Sequence, residues 1–458
     1  MTRRFDAIVI GAGQAGPALA GRLSDAGQTV ALVERGELGG TCVNTGCKPT
    51  KTLVASAYAA HLARRAADYG VIAPGVGIDF ARVMARADRI IQDSRANLAK
   101  WIEGMEHCTL FRGAARFEGP RTIRVGDALL EAEHIYLNVG GRPAIPEMPG
   151  VHDVPVLTNV DMLQLKELPE HLVVVGGSYI GLEFAQMFRR FGAQVTVVEK
   201  APRLIAREDE DVSAAVQALL EAEGIAVRTA AECISFAPAE GGKVSVGVDC
   251  ECGEPAVTGT HALLAVGRAP NTGELGLDKA GVELDARGYI KVDDRLETNV
   301  PGIWALGDCN GRGAFTHTAY NDFEIVAENR LDGADRKVSD RIPCYALFVD
   351  PPLGRCGMGE AEARAAGHEI LVGRRDMTRV GRAVEKDESF GFMKIVVDAK
   401  TRAILGATVF GTGGDEAIHS VIDFMATGAP IDALRRTVHI HPTVAELLPT
   451  IAGELQPA

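Results

Sequence analysis

The chain contains 458 residues, 47% of them hydrophobic, and carries a formal net charge of -13 at pH 7. This length suggests about three domains, and the apolar content is sufficient for a large core, which excludes disordered and fibrous classes. Nucleic acid and anionic membranes require a basic surface, so the acidic charge argues against both as partners and favours small-molecule chemistry.

The N-terminus leads directly into a predicted strand. The sequence has no signal-peptide cleavage pattern and no apolar run long enough to span a bilayer. Its nine cysteines form an odd, scattered set, unlike the disulfide framework of a secreted domain. We therefore predict a cytoplasmic protein, in which a lone, closely spaced cysteine pair is more often redox-active or metal-binding.

The first predicted element is a buried strand at 7–10 that opens into a helix. The glycines of this turn are Gly11, Gly13 and Gly16. The strand that follows the helix ends at Glu34. Glycines allow a tight turn and close approach of the backbone to a pyrophosphate at the positive end of the helix, while the acid accepts from a ribose hydroxyl. The segment predicts a dinucleotide-binding βαβ unit.

Two cysteines, Cys42 and Cys47, follow this unit five positions apart. In a regular helix such a step advances about 7.5 Å, beyond the roughly 7 Å Cα separation that a disulfide tolerates. A bonded pair therefore requires a distorted backbone, and strained pairs are more reducible than structural bridges. The alternatives are a structural bridge or a zinc pair, but zinc sites favour shorter spacings and further ligands, and we predict no metal site.

A second segment repeats the layout of the first unit. The strand at 173–175 opens into a helix, and the next strand, at 194–198, ends at Glu199. The small residues of this turn are Gly176, Ser178 and Gly181. Glu34 and Glu199 each follow the first glycine of their unit by the same interval of 23 positions. Two matches in the same order predict two dinucleotide-binding units.

Later segments predict how the chain passes between domains. The strands before Gly140 and Gly267 each close on a Gly-Arg loop near a proline. A third segment, 302–309, is a short strand that ends in Gly-Asp. Alternating runs at 344–349 and 393–397 predict an antiparallel sheet, and helical patterns follow to the end of the sequence.

Together these motifs resemble those of the FAD-dependent pyridine nucleotide-disulfide oxidoreductases, the group that includes lipoamide dehydrogenase, glutathione reductase and mercuric reductase. The resemblance covers essentially the whole chain. Six ordered motifs carry it: the two glycine turns, the Gly-Gly-Thr-Cys-x4-Cys frame, the Gly-Arg-x-Pro-Asn loop after Gly267, Gly307-Asp308, and His441-Pro442-Thr443-x2-Glu446. Each motif is weak alone, but six in this order are specific.

The resemblance implies an α/β fold with two Rossmann-like FAD- and NAD(P)-binding domains and a C-terminal α+β dimerisation domain. The implied limits are 1–147 and 268–338 for the two FAD-binding segments, 148–267 for the NAD(P)-binding domain and 339–458 for the dimerisation domain. The implied FAD contacts are Gly11, Gly13, Gly16, Glu34, Ala115, Asp308 and Thr316. The implied NAD(H) or NADP(H) contacts are Gly176, Ser178, Gly181, Glu199 and Tyr179, the last as an aromatic gate over the flavin ring. Further implied cofactor contacts are Thr41, Lys51, Gly140 and Gly267.

The resemblance also implies the catalytic roles. Hydride passes from the nicotinamide to one face of the flavin, and electrons continue to the disulfide on the other face. Cys47 then contacts the flavin and Cys42 performs the interchange with substrate. Lys51 approaches the flavin and pairs with Glu183. The acid–base pair, supplied by the other subunit of a homodimer, consists of His441 and Glu446.

Some of these residues have simpler interpretations. Lys51 and Glu183 could be solvated helix charges, and His441 could cap a turn. Lys48 could bias thiolate formation or bind an anionic substrate, and surface solvation explains it equally well.

The reaction type follows more directly than the substrate. We expect electrons to pass from NAD(P)H through FAD and the Cys42–Cys47 disulfide to a small disulfide or a soft, thiol-reactive oxidant, in a mercuric-reductase-like protein without a C-terminal cysteine pair. The alternatives are a lipoamide dehydrogenase running dihydrolipoamide to NAD, and a flavin NAD(P)H oxidase or peroxidase. Glu199 favours NADH because a carboxylate repels a 2′-phosphate. Three basic residues that could instead contact such a phosphate are Lys200, Arg203 and Arg207.

Overall fold

The first part of the chain builds a mostly parallel sheet around the first glycine turn. The computed structural model of the protein describes residues 2–232, 234–248 and 255–458. The strands here are β1 (Thr2–Ile10), β2 (Val30–Glu34), β3 (Cys108–Arg112), β4 (Ala115–Gly119), β5 (Thr122–Val125) and β6 (Ala128–Leu137). The helices are α1 (Ala15–Asp25), α2 (Gly40–Asn44), α3 (Cys47–Arg64) and α4 (Phe80–Glu103). The sheet order is β3-β2-β1-β6-β5-β4.

The first glycine turn is as tight as the sequence predicts. The last four residues of β1 are buried, as in a strand covered on both faces. Gly11 has a φ of +105°, and a Cβ at this position would lie 2.2 Å from the backbone oxygen of Asn138. A Cβ on Gly16 would lie 2.0 Å from the backbone oxygen of Gly11. Only glycine therefore lets α1 pack this closely on the turn.

The second part contains a five-stranded parallel sheet and a small antiparallel one. Its strands are β7 (Gly141–Pro143), β8 (Val156–Leu157), β9 (His171–Val175), β10 (Gln194–Val198), β11 (Ala226–Arg228), β12 (Ser235–Ala239), β13 (Lys243–Gly247), β14 (Ala256–Gly259), β15 (His261–Leu264) and β16 (Arg268–Pro270). The helices are α5 (Asn159–Met162), α6 (Tyr179–Phe191) and α7 (Glu210–Ala222). The parallel order is β11-β10-β9-β15-β8, and β12, β13 and β14 form the small sheet.

After the second unit the chain returns to the first sheet. The two predicted Gly-Arg loops pair with each other as the antiparallel strands β7 and β16. Helix α8 (Leu277–Ala280) follows, and β17 (Ile303–Ala305) then pairs in parallel with β6. Helix α9 (Thr316–Ala327) completes this part. The predicted short strand before Gly-Asp is therefore confirmed.

The C-terminal part is an antiparallel sheet with helices. The strands are β18 (Cys344–Leu347), β19 (Leu353–Gly357), β20 (Ile370–Asp376), β21 (Phe392–Asp398), β22 (Ile404–Phe410) and β23 (Gln456–Pro457). The helices are α10 (Glu360–Ala365), α11 (Gly381–Glu385), α12 (Gly414–Ala426), α13 (Ile431–Arg436) and α14 (Leu448–Gly453). The order β18-β19-β22-β21-β20-β23 confirms the predicted antiparallel sheet.

One apolar cluster joins the three parts. It runs from Leu53 on α3 through Phe184 on α6 to Phe410 in the C-terminal sheet, and all three side chains are buried. The N-terminal ends of α3 and α6 are thereby held against each other. The fold class predicted from the sequence is confirmed, whereas the limits at residues 147, 267 and 338 stay predictions. No helix among the described residues is both long and apolar enough to cross a membrane.

Candidate active site

A cavity of about 1780 Å³ lies between the two glycine turns. Its volume exceeds the roughly 300–1000 Å³ of ordinary small-molecule sites, as a site for two dinucleotides would require. Predicted site residues on its wall are Gly11, Gly13, Glu34, Thr41, Cys42, Cys47, Lys51, Ala115, Gly140, Gly176, Ser178, Tyr179, Glu183, Glu199, Gly267, Asp308 and Thr316. Gly16 and Gly181 instead lie beneath their turns, where a Cβ would be 2.0 Å from a backbone oxygen.

The two predicted ribose-binding acids are held in the same way. Glu34 accepts hydrogen bonds from the backbone N–H groups of Ala12 and Gly36, both at 2.7 Å. Glu199 accepts from Gly177 at 2.5 Å and from Ala201 at 2.7 Å. Each carboxylate therefore faces its own glycine turn. These two cradles, lined by backbone and closed by an acid, fit the adenosine halves of FAD and a nicotinamide dinucleotide.

The backbone breaks between the two cysteines. Cys42 lies in α2, which ends at Asn44, and Cys47 is the first residue of α3. Gly46 between the helices has φ −133° and ψ −120°, far from helical values. The distortion predicted from the spacing is therefore confirmed, and in this structure both thiols are free.

The environment shifts the pKa values of the two thiols in opposite directions. A hydrogen bond from Cys42, together with a hydrogen bond to Thr316 and the positive charge of Lys51, lowers the pKa of Cys47 to about 6. The Cys47 Sγ lies 3.2 Å from the Thr316 Oγ1. The hydrogen bond with Cys47 and burial raise the pKa of the Cys42 thiol well above its ordinary value. Near neutral pH the reduced pair therefore carries one thiolate, on Cys47, and one thiol, on Cys42.

Lys51 and Glu183 meet across the cavity. The Lys51 Nζ lies 2.6 Å from the Glu183 Oε2, and the Glu183 side chain is only 5% exposed. The backbone N–H of Phe348 donates to the other carboxylate oxygen at 3.1 Å, and the Lys51 ammonium lies 4.6 Å from the centre of the Phe348 ring. The structure therefore excludes the interpretation of these two residues as solvated helix charges.

Arg268 is a functional candidate that the sequence analysis missed. Its guanidinium donates to the Asp308 Oδ2 at 3.2 Å, to the Thr41 Oγ1 at 3.3 Å and to the backbone oxygen of Gly141 at 2.6 Å. Arg268 thus connects two predicted cofactor contacts that are far apart in the chain. The Gly-Arg-x-Pro-Asn motif contained the signal, because arginine suits the binding of a pyrophosphate.

An aromatic cluster beside the cysteines was also missed. The Tyr179 ring packs edge-on against Phe315 and Tyr345, with ring centres 6.4 and 5.3 Å apart. Phe315 and Tyr345 stack at 5.6 Å. Both tyrosine hydroxyls donate to the buried Glu208. No local sequence pattern marks Glu208, because its partners come from distant segments.

His441 and Glu446 are brought together, but not on the cavity wall of their own chain. The His441 Nδ1 lies 2.9 Å from the Glu446 Oε2. The His441 side chain is 80% exposed and Glu446 only 14%. The carboxylate is therefore a fixed support for an imidazole that projects outward, which does not fit a histidine that only caps a turn.

The described residues contain no group of three or more His, Cys, Asp or Glu side chains arranged to hold a metal ion. Cys233, Cys250 and Cys252 lie outside the described residues. Two nucleotide cradles that meet beside a thiol pair define a nucleotide-dependent thiol–disulfide oxidoreductase.

Comparison with known proteins identifies the family. Residues 5–322 match the family described as pyridine nucleotide-disulphide oxidoreductase, and residues 344–452 match its dimerisation domain. The chain belongs to this family. Its members are enzymes that use FAD and NAD(P)H, so the predicted enzyme class and cofactors are confirmed.

Among its relatives is the probable pyridine nucleotide-disulfide oxidoreductase RclA of Escherichia coli K12, which is 35% identical over 97% of this chain and 98% of that protein. A mercuric reductase of Streptomyces lividans is 32% identical, over 97% and 94% of the two chains. A dihydrolipoyl dehydrogenase of Thermus scotoductus is 33% identical, over 99% and 98%. The solved structure of the HOCl-induced flavoprotein disulfide reductase RclA from Escherichia coli matches with a TM-score of 0.88 and 34% identity, over 98% and 99% of the two chains.

Proposed function

We propose that this enzyme passes electrons from NAD(P)H to the Cys42–Cys47 pair and then to a small disulfide or a soft, thiol-reactive oxidant. The observation that carries the proposal is the position of Cys47. Its thiol begins α3 beside Thr316 and lies on the wall of the same cavity as both glycine turns. A thiol with a pKa of about 6 is a thiolate at neutral pH, as redox chemistry at sulfur requires.

The proposed cofactor contacts follow the two cradles. The adenosine half of FAD is held by Gly11, Gly13, Glu34 and Ala115. Its phosphate and ribityl region lies towards Asp308 and Thr41. The nicotinamide dinucleotide is held by Gly176, Ser178 and Glu199, and Tyr179 and Gly267 lie nearby. Bound FAD supplies the relay of an electron pair between nicotinamide and sulfur. The Lys51 ammonium supports negative charge that develops in the cavity, and Glu183 limits the cost of burying that cation.

We propose that the two thiols divide the work. Cys47 faces the flavin site, and Cys42 attacks or binds the acceptor. The mercuric reductase of Streptomyces lividans and the Cu(II) complex of RclA from Escherichia coli both involve soft or borderline metal ions. Paired thiolates are the ligands that such ions prefer, and a disulfide substrate is attacked by the same sulfur. The proposed acceptors are therefore disulfides, mercuric or cupric ions, and chlorine- or thiocyanate-derived oxidants.

The proposed active site is completed by a second subunit. His441 of the partner subunit would exchange a proton with the interchange thiol, oriented by Glu446 of the partner subunit. Three observations support this assignment: the outward projection of His441, its fixed carboxylate and the match to a dimerisation domain. The proposed compartment is the cytoplasm, whose reducing conditions keep thiols available.

We propose NADH as the preferred reductant. Glu199 closes the second cradle, where a 2′-phosphate would be repelled. Arg203, one of the basic residues that could bind such a phosphate, donates instead to the backbone oxygens of Ala206 and Glu208, both at 3.2 Å. Steady-state assays of kcat/KM with both nucleotides test the choice, and a clear advantage for NADPH would show it to be wrong.

Anaerobic titration of the FAD-loaded enzyme with NADH tests the proposed electron path. A working disulfide takes up two electrons beyond those that the flavin accepts, and a long-wavelength thiolate band develops. An enzyme that stores only the electrons of its flavin would instead be an NAD(P)H oxidase or peroxidase. A panel of lipoamide, glutathione disulfide, mercuric and cupric ions and hypothiocyanite then identifies the acceptor.

A second candidate is favoured by the dihydrolipoyl dehydrogenase relatives. In that case the enzyme oxidises dihydrolipoamide and reduces NAD⁺. Rates in both directions at the same pH distinguish the two candidates. Faster turnover with dihydrolipoamide and NAD⁺ than with NADH and any acceptor of the panel would favour the dehydrogenase.

A further inference from the structure

A buried carboxylate, Glu208, binds the two tyrosines of the aromatic cluster. The Tyr179 hydroxyl donates to the Glu208 Oε1 at 3.0 Å, and the Tyr345 hydroxyl donates to the same oxygen. The Arg355 Nε donates to the Oε2 at 3.2 Å. Glu208 is 2% exposed. The Glu208 carboxylate is therefore held by three side chains, and of these only Tyr179 belongs to the second nucleotide unit.

The segment that contains Glu208 is fastened to the C-terminal part of the chain. The Arg355 side chain is 5% exposed and also donates to the backbone oxygen of Cys356 at 2.7 Å. The next residue, Asp209, accepts from the Lys394 Nζ at 2.9 Å, and that ammonium is 2% exposed. Buried charges satisfied in this way form a rigid support. Glu208 is thus a fixed point against which a neighbouring side chain can be held.

The two tyrosines differ in their freedom to move. Tyr345 is part of β18, which is paired along its length with β19. Tyr179 is the first residue of α6 and follows the Gly176–Ser178 turn on the cavity wall. The Tyr345 ring is held in a stack with Phe315, whereas the Tyr179 ring packs only edge-on against these two rings. Burial and the neighbouring Glu208 raise the pKa of Tyr179, so its hydroxyl remains a neutral donor.

We infer that Glu208, supported by Arg355, is a positioning residue that latches Tyr179 across the nicotinamide site. This inference rests on the proposed function, in which Tyr179 lies beside the nicotinamide dinucleotide, and on its expected place as a gate over the flavin ring. Nicotinamide binding must then break the hydrogen bond between Tyr179 and Glu208. Because only the unlatched fraction can bind, the latch weakens the apparent affinity for the nucleotide. It also keeps an aromatic ring over the site when no nucleotide is bound.

The test is equilibrium binding of NAD⁺ and NADP⁺ to the oxidised, FAD-loaded enzyme by titration calorimetry. Tyr179→Phe keeps the ring and removes only the hydroxyl that reaches Glu208. The expected result is binding about three- to tenfold tighter than in the wild type, because the open fraction increases. General damage to the site would weaken binding, so the direction of the change separates a latch from a structural role.

Three further variants complete the experiment. Tyr345→Phe removes the other hydroxyl on the same oxygen, and we expect no tightening because Tyr179 stays latched. Tyr58→Phe, which loses a 2.9 Å hydrogen bond to Glu388 elsewhere, is the matched control for removing a phenolic hydroxyl. Glu208→Gln should tighten nucleotide binding less than Tyr179→Phe does. In the double variant that combines the two changes, binding should be no tighter than in Tyr179→Phe alone.

Unchanged or weaker binding in Tyr179→Phe would overturn the latch, as would equal tightening in Tyr345→Phe. If Glu208→Gln does not fold, the comparison of the two tyrosines still decides the question. If the wild type binds neither nucleotide, the proposed function itself is contradicted. If the wild type binds a nucleotide and Tyr179→Phe has the same affinity for it, only the latch is contradicted.

Discussion

Helices α3 and α6 begin at the same cavity and present side chains with the same spacing. In α3 the first residue is Cys47 and the fifth is Lys51; in α6 the first is Tyr179 and the fifth is Glu183. Residues four apart lie on one face of a helix. The two fifth residues form the 2.6 Å ion pair, which fixes the two first residues relative to each other.

The helices differ in how firmly they are held. Ten of the thirteen residues of α6 are buried, against six of the eighteen residues of α3. Glu183 is 5% exposed and receives a backbone hydrogen bond, whereas the Lys51 side chain is 34% exposed. The deeply buried helix therefore supplies the fixed support, and the more exposed helix supplies the reactive group. A change at Cys47, the exposed first residue of α3, should therefore affect chemistry more than folding.

The largest expected effect is that of Cys47→Ser. Removing the thiolate at the start of α3 should lower disulfide reductase turnover by at least about three orders of magnitude, because the redox step has no substitute group. Thermal unfolding should change little, since Cys47 is exposed to the cavity. Cys42→Ser should also lose turnover but keep the long-wavelength thiolate band. The matched control is Cys344→Ser. Turnover of Cys47→Ser above a tenth of the wild-type value would refute the role assigned to Cys47.

The ion pair between the helices should show a large effect on stability. Lys51→Met leaves the Glu183 carboxylate buried with one backbone donor. This should lower the free energy of unfolding by about 2 kcal/mol. The loss is smaller than for a fully buried pair because Lys51 is partly exposed. Adding Glu183→Gln should restore most of this loss. Urea unfolding of both single variants and the double variant measures the coupling. Additive losses would show that the pair does not fasten α3 to α6.

The pH dependence of the reduced enzyme should follow Cys47. Its thiolate is present above the pKa of about 6 and is lost as the pH falls below that value. In Cys42→Ala the strongest hydrogen bond to the thiolate is removed, so the midpoint should rise by about one unit or more. Ultraviolet thiolate absorbance against pH measures both midpoints. A midpoint that stays near 6 in Cys42→Ala would mean that another group lowers the pKa of Cys47.

The smallest expected effect concerns Lys48, the exposed neighbour of Cys47. Its ammonium donates to the Ser94 Oγ at 2.9 Å and lowers the pKa of Cys42 slightly, against the larger effects that raise it. Lys48→Ala should slow reduction of anionic oxidants about two- to threefold at low salt, and Lys48→Arg should not. Reduction rates across a salt series measure this. Equal slowing with neutral acceptors would assign Lys48 to thiolate formation, and no slowing with any acceptor would assign it to surface solvation.

The sequence by itself determined the local features of this protein. The glycine turns, the two acids and the break between Cys42 and Cys47 follow from short-range geometry, since spacing fixes which residues share a turn. The ordered motifs also predicted the fold class and the family. In each case the signal lies within a few tens of residues, where backbone sterics limit the possible structures.

Only the tertiary structure decided how these features meet. The Lys51–Glu183 pair joins residues 132 positions apart, and the Arg355–Glu208 contact spans 147. Arg268 likewise reaches Thr41 across 227 positions. No periodicity encodes such contacts, because they depend on how the helices and sheets of separate parts pack against one shared apolar core. That packing places Cys47 and Tyr179 at one cavity, and it alone revealed the buried support behind the tyrosine.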